Sequence, residues 1–552
     1  MLILAAVTCV WFGNLEVRKL VRPDEGRYAE IPREMVASGD WLTPRLNDLK
    51  YFEKPALQYW ATAAAYEAFG QHQWTSRLWT ALTGFFSLFV VMLTGRRLFG
   101  RDAGIIAGLV LGSSLLYSGM AHVNTLDMGV TTFMSLTLCA FLLAQHDAAS
   151  ARETRNWMRV AWAAMGLAVL SKGLQGVVLP GAVLVLYTLI ERDFAMWKKF
   201  HIVSGLAIFL AITAPWFIAV SLANPEFFQF FFVHEHFERF LTKAHRRFQP
   251  WWYFIPILLA GLLPWTLLAI DALTGAWRKQ AAQRFQPKRM LLIWSTFIFL
   301  FFSASSSKLP SYILPIFPAI ALLIGTRMTE MPAMTIRPLT IRRFAWLVGP
   351  MMLAAVTGLV IAPFLTRFAS DEIPPELFEA YMPWVIVASL ALGSGIVIAL
   401  LVDRMGRRDC AALALAAGGL GFAQLVLTGH DSFAPAQSAY HLVQRAKPEL
   451  AMLKLLDRPQ VPFYSVGFYE QTLPFYIKRT VTLVAHMDEL EYGIGQEPQK
   501  FIPTIDEFQQ RWRADREALA IMQPYRYREL AAAGLPMRLI AEDTRRVIVV
   551  KP

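Results

Sequence analysis

The stretch Arg22–Trp60 reads RPDEGRYAEIPREMVASGDWLTPRLNDLKYFEKPALQYW and separates two apolar segments, Met1–Gly13 and Ser76–Phe99. About a dozen charged residues are concentrated here, in a chain that is otherwise mostly apolar. Charges held beside a lipid bilayer are costly, and membrane proteins that keep them generally use them for function. The stretch therefore predicts a functional site at the boundary between water and lipid.

The rest of the chain has the composition of a membrane protein. It has 552 residues, of which 55% are hydrophobic and 17% charged, whereas soluble proteins have about 25% charged residues. About thirteen apolar segments approach the ~20 residues that cross a bilayer as a helix. The sequence predicts a polytopic α-helical membrane protein with spans at roughly 1–20, 76–98, 103–120, 126–145, 157–172, 174–191, 202–222, 253–273, 290–305, 310–328, 344–366, 383–402 and 411–429.

The loop charges predict the orientation of these spans. Lys and Arg are concentrated in alternate loops, beginning with Arg96, Arg97 and Arg101 after the second span. Such loops are cytoplasmic in membrane proteins, so the loop at 14–75 and everything after Thr428 face outward. The net charge of +12 indicates contact with anionic membrane lipids rather than with nucleic acid. The three cysteines form no disulfide or zinc pattern.

Two domains are expected. A transmembrane catalytic domain, 1–429, would carry outer interfacial helices at about 22–75 and 225–250, of which the first region holds helices at Tyr28–Ser38 and Pro55–Phe69. An outer α/β domain, 430–552, would follow, since short apolar runs alternate with helical patterns at Ala436–Leu456 and Ile505–Arg516. Its predicted strands are Val461–Val466, Val481–Val484, Ala518–Met522, Met537–Ala541 and Val547–Val550.

Several polar groups lie at the predicted outer edge of the membrane. Their shared position suggests one site, formed by Asp24-Glu25 with Arg27 and Tyr28, Tyr51 to Lys54, His122-x-Asn124-x-x-Asp127, His234-Glu235-His236 with Arg239, Lys172, and Lys308 to Tyr312. Each group also has a structural interpretation. Asp24 or Asp127 could cap a helix, Glu53–Lys54 could be a solvated pair, the histidines could be exposed, and the lysines could extend toward the lipid headgroups.

Carboxylates beside cations at the outer face suit the transfer of a group carried on a lipid phosphate. Lys and Arg would hold the phosphate, and a carboxylate would take a proton or stabilise a positively charged, oxocarbenium-like sugar. The sequence has no P-loop and no Rossmann glycine fingerprint. The energy for transfer is therefore expected from an activated lipid donor.

These motifs resemble a known family. The run Arg22–Trp60, together with HVNTLDMG, SKGLQGVVLP, KLPSYILPIFPA and GFYEQTLPFYIKRT, resembles the bacterial aminoarabinose transferases that modify lipid A, which are polyprenyl-phosphate-dependent glycosyltransferases of GT-C fold. The resemblance covers essentially the whole chain. It implies an undecaprenyl-phosphate-linked 4-amino-4-deoxy-L-arabinose donor, a lipid A phosphate acceptor and resistance to polymyxin. It further implies a monomer in the inner membrane with its active site facing the periplasm.

The resemblance also implies roles for individual residues. Asp24 and Asp127 match acidic positions of the fold and are the expected catalytic residues. The donor phosphate and lipid are expected to contact Lys54, Arg27, Arg239, Tyr28, Tyr51, Tyr312, Lys172 and Lys308. No cofactor is required, although Glu53 and His234 would share a divalent metal ion such as zinc if their loops meet.

Two other functions fit the sequence. One is a GT-C transferase for another sugar or acceptor, such as a protein O-mannosyltransferase. The other is a flippase for a lipid-linked sugar, although transporters often have internal repeats and place their charges near mid-membrane. Neutralising the carboxylates would abolish product formation by a transferase and leave lipid movement by a flippase intact.

Overall fold

The computed structural model describes residues 2–232, 249–280, 283–331, 343–453, 458 and 460–552. Its apolar part is helical. The helices there are α1 (Leu2–Phe12), α2 (Asp24–Ser38), α3 (Leu57–Phe69), α4 (Gln73–Phe99), α5 (Arg101–Ser113), α6 (Leu115–Ala121), α7 (Asp127–Gln145), α8 (Ala151–Lys172), α9 (Gln175–Glu191), α10 (Ile202–Ala223), α11 (Phe254–Gly261), α12 (Thr266–Ala276), α13 (Pro287–Ala304), α14 (Phe317–Glu330), α15 (Arg343–Val348), α16 (Met352–Ile361), α17 (Pro375–Arg404) and α18 (Arg408–Gly429).

The helices confirm a polytopic membrane protein. Within the described ranges, eight helical segments are long and apolar enough to cross a bilayer, and the pair α11 and α12, bent by 109°, would make a ninth. The other four predicted spans fall on helices that are short, interrupted or more polar. These are α1, the broken pair α5 and α6, the charged helix α8, and α9. The count of thirteen stays a prediction.

The chain ends in a six-stranded sheet, which we call the C-terminal sheet domain. The strand order is β5-β4-β3-β6-β8-β7, with β3 to β6 parallel and β7 and β8 antiparallel to their neighbours. All five predicted strands are confirmed, and only the two-residue β5 was missed. The strands are β3 (Phe463–Val466), β4 (Thr482–Val484), β5 (Phe501–Ile502), β6 (Leu519–Met522), β7 (Arg538–Glu542) and β8 (Val547–Val550).

Helices cover this sheet, as expected for buried parallel strands. The predicted helix Ala436–Leu456 is divided between two helices that are interrupted at Ser438 and Ala439, and its residues 454–456 lie outside the described ranges; the predicted helix Ile505–Arg516 is present and ends two residues earlier. The helices of this region are α19 (Ala434–Gln437), α20 (Tyr440–Met452), α21 (Leu473–Ile477), α22 (Glu491–Gln496), α23 (Ile505–Ala514) and α24 (Pro524–Ala532).

A small hairpin joins the α2–α3 connection to the sheet. Strands β1 (Arg45–Leu46) and β2 (Leu49–Lys50) are connected by Asn47 and Asp48, both with left-handed backbone (φ 55° and 62°), as a tight two-residue turn requires. The side-chain amide of Asn47 donates to the carbonyl of Val481 at 2.7 Å and accepts from its N–H at 2.8 Å. The hairpin is thereby fixed beside the start of β4.

A buried ion pair fixes α2 to the start of α4. The Arg77 guanidinium donates to both carboxylate oxygens of Glu25, at 2.7 and 2.8 Å, and both side chains are at most 1% exposed. Arg77 also donates to backbone carbonyls of the α1–α2 connection, those of Leu15, Arg18 and Lys19. Glu25 accepts from the N–H of Asn124 at 3.0 Å. One pair thus joins the α1–α2 connection, the start of α4 and the turn before α7.

Removing one partner of this pair should be strongly destabilising. Arg77→Ala leaves a buried carboxylate without its counter-ion, a change that costs about 3–5 kcal/mol. Thermal unfolding in detergent would measure the effect. The control is Arg511→Ala, which breaks an exposed pair with Glu507 and should cost less than about 1 kcal/mol. Equal effects of the two variants would contradict this assignment.

The same pair predicts a dependence on acid. Burial raises the pKa of the Glu25 carboxyl, but the charge and hydrogen bonds of Arg77, together with the Arg18 charge and the Asn124 N–H, outweigh burial and lower the pKa from 4.5 to about 2. Because the folded-state pKa lies below the ordinary value, the stabilisation is present above pH 4.5 and is lost as the pH falls toward 2. As the pH is lowered from 4.5 toward 2, the free energy of unfolding should therefore fall more steeply for the wild type than for Glu25→Gln.

Candidate active site

Helix α2 begins with two adjacent carboxylates that have different surroundings. Glu25 faces inward to Arg77, whereas the Asp24 side chain is 35% exposed and lies 3.3 Å from Arg27. The N-cap position is Pro23, and no side chain caps the helix. Helix α2 ends at Gly39, whose left-handed backbone suits a glycine. Asp24 is therefore the carboxylate of this pair that a substrate can reach.

Arg27 is surrounded by acidic and aromatic groups. Its guanidinium carbon lies 5.7 Å from the ring centre of Tyr28 and 6.0 Å from that of Tyr51. It contacts Asp24 and also Glu489 of the C-terminal sheet domain. Burial lowers the pKa of Arg27, but its interactions with Tyr51, Tyr28, Asp24 and Glu53 raise it well above its ordinary value. Arg27 is thus a fixed, buried cation.

A second ion pair lies between α7 and α8. Asp127 begins α7, Lys172 ends α8, and the ammonium of Lys172 contacts the Asp127 carboxylate. The Lys172 ammonium also lies 4.9 Å from the ring centre of Tyr312. These three residues line a narrow cleft together with Phe302 and Ser311. The sequence motifs around Asp127, Lys172 and Tyr312 therefore meet in space.

Longer-range electrostatic interactions relate the two groups. Tyr28 interacts with Asp24, Glu53 and Asp127, and Lys172 interacts with Asp24 as well as with Asp127. Burial raises the pKa of Tyr28 above its ordinary value, so its hydroxyl stays protonated. We call this neighbourhood the outer cluster, after the side of the membrane on which the loop charges predict it; it comprises Asp24, Arg27, Tyr28, Tyr51, Glu53, Asp127, Lys172 and Tyr312.

The remaining predicted residues differ in position. Lys54 lies beside Glu53, with 4.0 Å between ammonium and carboxylate, and both side chains are mostly buried. Lys308 is only 4% exposed, and its ammonium donates to the backbone carbonyls of Gln249 and Ser305. In the structure Lys308 thus covers the end of α13, and its contact with a donor stays a prediction. Arg239 and His234 lie outside the described residues.

The metal prediction rests on Glu53 and His234, so it too extends beyond the described residues. Within the part of the chain that is described, no three His, Cys, Asp or Glu side chains are grouped to hold a metal ion. Glu53 has a cation, Lys54, as its neighbour. The described residues therefore leave the metal prediction untested.

Sequence reasoning missed the contribution of the C-terminal sheet domain to the site. Glu489 contacts Arg27 and accepts from Gln471 at 3.1 Å. Gln471 lies in the family-like motif GFYEQTLPFYIKRT, whereas Glu489 lies outside every motif of the sequence analysis. At Gly26 of α2, an added Cβ would lie only 2.6–2.7 Å from backbone atoms of Gln471 and Thr472. The domain thus packs directly on the first turn of α2.

Two family models match the chain. Residues 450–551 match the aminoarabinose transferase C-terminal domain. Residues 53–218 match the dolichyl-phosphate-mannose-protein mannosyltransferase model. The two matches fall on the sheet domain and on the helices around the outer cluster, respectively.

Whole-chain relatives agree with these matches. Two similar proteins are named undecaprenyl phosphate-alpha-4-amino-4-deoxy-L-arabinose arabinosyl transferase. The one from Enterobacter sp. (strain 638) is 30% identical to this chain and aligns with 90% of this chain and 87% of its own length. The one from Erwinia tasmaniensis is 32% identical and aligns with 69% of each chain. The crystal structure of ArnT from Cupriavidus metallidurans bound to undecaprenyl phosphate is 39% identical, with a TM-score of 0.93, covering 100% of this chain and 97% of that one. The apo Archaeoglobus fulgidus oligosaccharyltransferase, at 12% identity and TM-score 0.52, covering 94% of this chain and 69% of that one, shares the fold alone.

The fold and the outer cluster define a multi-span membrane glycosyltransferase of the GT-C class, which uses lipid-linked sugar donors. Within that class the match is more specific. The chain belongs to the family of undecaprenyl phosphate-4-amino-4-deoxy-L-arabinose arabinosyl transferases.

The contact at Gly26 can be tested directly. In Gly26→Ala, the new methyl group meets backbone atoms that cannot rotate away, so α2 and the 471–472 segment should separate, at a cost of about 1–3 kcal/mol. Hydrogen exchange at residues 467–490 should become faster. Gly119→Ala, where nothing lies within 4 Å of the added Cβ, is the matched control. Unchanged exchange in Gly26→Ala would refute this contact.

Proposed function

We propose that the protein transfers 4-amino-4-deoxy-L-arabinose from undecaprenyl phosphate to a phosphate of lipid A at the periplasmic face of the bacterial inner membrane. The main support is the outer cluster, where buried cations and carboxylates from α2, α7 and α8 meet beneath the C-terminal sheet domain. Family membership supports the identity of donor and acceptor. The modified lipid A would be less negative, which would weaken the binding of polymyxin and other cationic peptides.

The cations of the site suit the donor phosphate. In the proposed reaction, an oxygen of the lipid A phosphate attacks the anomeric carbon, and the bond from that carbon to the undecaprenyl phosphate oxygen breaks. The electron pair leaves with the phosphate, whose added charge Arg27, Lys54 and Arg239 would stabilise. Arg27 is suited to this role because its pKa is raised and it stays charged although it is buried.

The carboxylates have a different task. A lipid A phosphate is already anionic at neutral pH, so it needs no general base. We assign to Asp24 or Asp127 the stabilisation of positive charge at the sugar or the binding of its amino group. Asp24 suits this role better, since it is 35% exposed. Asp127 is held by Lys172 and suits positioning.

The C-terminal sheet domain would cover the site. Glu489 touches Arg27 from this domain, so entry of the donor phosphate would require the guanidinium to change partners. We further propose that the chain divides into a catalytic part, 1–429, and a covering domain, 430–552, and that it acts as a monomer. Tyr28, Tyr51 and Tyr312, which surround the buried cations, would shape the pocket.

A protein mannosyltransferase is the second candidate. The match of residues 53–218 to a dolichyl-phosphate-mannose-protein mannosyltransferase model favours a lipid-phosphate donor but leaves the acceptor open. Identification of the product separates the two functions, because sugar would appear on lipid A in one case and on protein in the other.

A complementation experiment tests the proposed function. The chain would be expressed in Gram-negative cells that make the aminoarabinose donor but lack the transferase, and lipid A would be examined by mass spectrometry. We expect the aminoarabinose adduct with the wild type and a loss of at least about 100-fold with Asp24→Asn or Asp127→Asn, because removing one charge-stabilising group costs about 10²–10³ in rate.

Purified variants separate catalysis from binding. Asp24→Asn should lose turnover more than affinity for undecaprenyl phosphate, which a displacement assay would measure. Equal losses would count against a role for Asp24 at the sugar. A folded wild-type protein that yields no adduct, with donor present, would refute the proposed function.

A further inference from the structure

The outer cluster adjoins a group of buried polar atoms without hydrogen-bond partners. Among the described residues, the hydroxyls of Tyr51, Tyr59 and Thr62, the amide oxygen of Gln58 and the amide nitrogen of Asn124 make no hydrogen bond. All five side chains are at most 2% exposed. Buried polar atoms are paired in the great majority of cases, and an unpaired one is costly. A concentration of them beside an active site therefore indicates a missing ligand.

Helix α3 supplies three of these residues. Gln58 and Thr62 are one helical turn apart and share a face, and the ring of Tyr59 stacks on that of Tyr28 at 6.2 Å. Tyr51 and Tyr59 both interact electrostatically with Arg27 and Glu53. Tyr51 and Tyr59 thus link the unpaired groups to Arg27, the proposed phosphate-binding cation.

The two amides are oriented before any ligand arrives. The Gln58 amide nitrogen donates to the Asn124 side-chain oxygen at 2.9 Å, and the Asn124 backbone N–H donates to Glu25 at 3.0 Å. This arrangement leaves one acceptor, on Gln58, and one donor, on Asn124, without partners. Neighbouring hydroxyl groups of a sugar ring need this combination, since each hydroxyl both donates and accepts.

We propose that Gln58, Tyr59, Thr62 and Asn124, with Tyr51, form the subsite that binds the hydroxyl groups of the donor sugar. The inference rests on the proposed function and deepens it. The subsite is uncharged and contains both donors and acceptors, so it suits hydroxyls rather than phosphate, which accepts only, or a lipid tail, which does neither. Arg27 next to it would hold the phosphate, so that the site separates the two parts of the donor.

The experiment compares two lipids and three variants. Affinities for undecaprenyl phosphate with and without aminoarabinose are measured by displacement, alongside Tm, on full-length protein in detergent. Tyr59→Phe and Thr62→Val remove hydroxyls without protein partners. Tyr66→Phe on the same helix is the matched control, because the Tyr66 hydroxyl donates to the Ala29 carbonyl at 3.2 Å and is hydrogen-bonded to Ser76 at 2.7 Å.

We expect the two kinds of variant to affect different quantities, either the affinity for the sugar-loaded lipid or the Tm. Tyr59→Phe and Thr62→Val should weaken binding of the sugar-loaded lipid by about three- to tenfold, the worth of one hydrogen bond, and leave sugar-free binding and Tm unchanged. Tyr66→Phe should lower Tm and leave both affinities unchanged. A merely structural role for Tyr59 or Thr62 would instead lower the Tm of these variants and leave both affinities unchanged.

Two outcomes would overturn the subsite. Unchanged affinity for the sugar-loaded lipid in Thr62→Val and in folded Tyr59→Phe would mean that these hydroxyls form hydrogen bonds with water and not with the sugar. Equal losses for both lipids would move the contact to the phosphate or the lipid tail. Because binding is measured without turnover, a wild type that prefers the sugar-loaded lipid but transfers nothing would count against the proposed function and in favour of the subsite.

Discussion

The ion pair between Glu25 and Arg77 is the constraint on which the arrangement of the helix ends around the candidate site depends. It is bidentate and buried, and it lies where the α1–α2 connection, the start of α4 and the turn before α7 meet. A buried pair contributes little net stability compared with apolar packing, but breaking it exposes an uncompensated charge to a low dielectric. Its effect is therefore to exclude other arrangements of these three segments.

Two active-site properties follow from that arrangement. Glu25 is occupied by Arg77, so Asp24, one residue earlier and on another face of α2, is the accessible carboxylate. Glu25 also holds the backbone of Asn124, three residues before Asp127, which fixes the entry of α7 and thus the Asp127–Lys172 pair. Charged side chains near a bilayer are destabilising unless they are paired. Here Asp24, Glu25 and Asp127 each form an ion pair, with Arg27, Arg77 and Lys172 respectively.

The C-terminal sheet domain completes the site. It packs on α2 with backbone against backbone at Gly26, pairs with the hairpin through Asn47, and brings Glu489 to Arg27. If a donor phosphate binds Arg27 as proposed, it would compete with Glu489 for the same guanidinium, so this domain would also influence phosphate binding. The unpaired hydroxyls of α3 lie beside that guanidinium.

The sequence by itself determined the elements. Helical spacing predicted α2 and α3, and short apolar runs predicted five of the six C-terminal strands, because these patterns depend on neighbours within a few residues. The structure places Asp24 against Arg27 and Asp127 against Lys172, four residues that the shared side of the charged motifs grouped in one expected site, and their roles toward a substrate stay predictions. Only the tertiary structure decided which of the two adjacent carboxylates, Asp24 or Glu25, is buried, and that Arg77 is its partner. The tertiary structure also decided that Lys308 donates to backbone carbonyls and that Glu489 contacts Arg27. Such partners are separated by dozens to hundreds of residues, and pairing across that distance depends on packing, which no local pattern encodes.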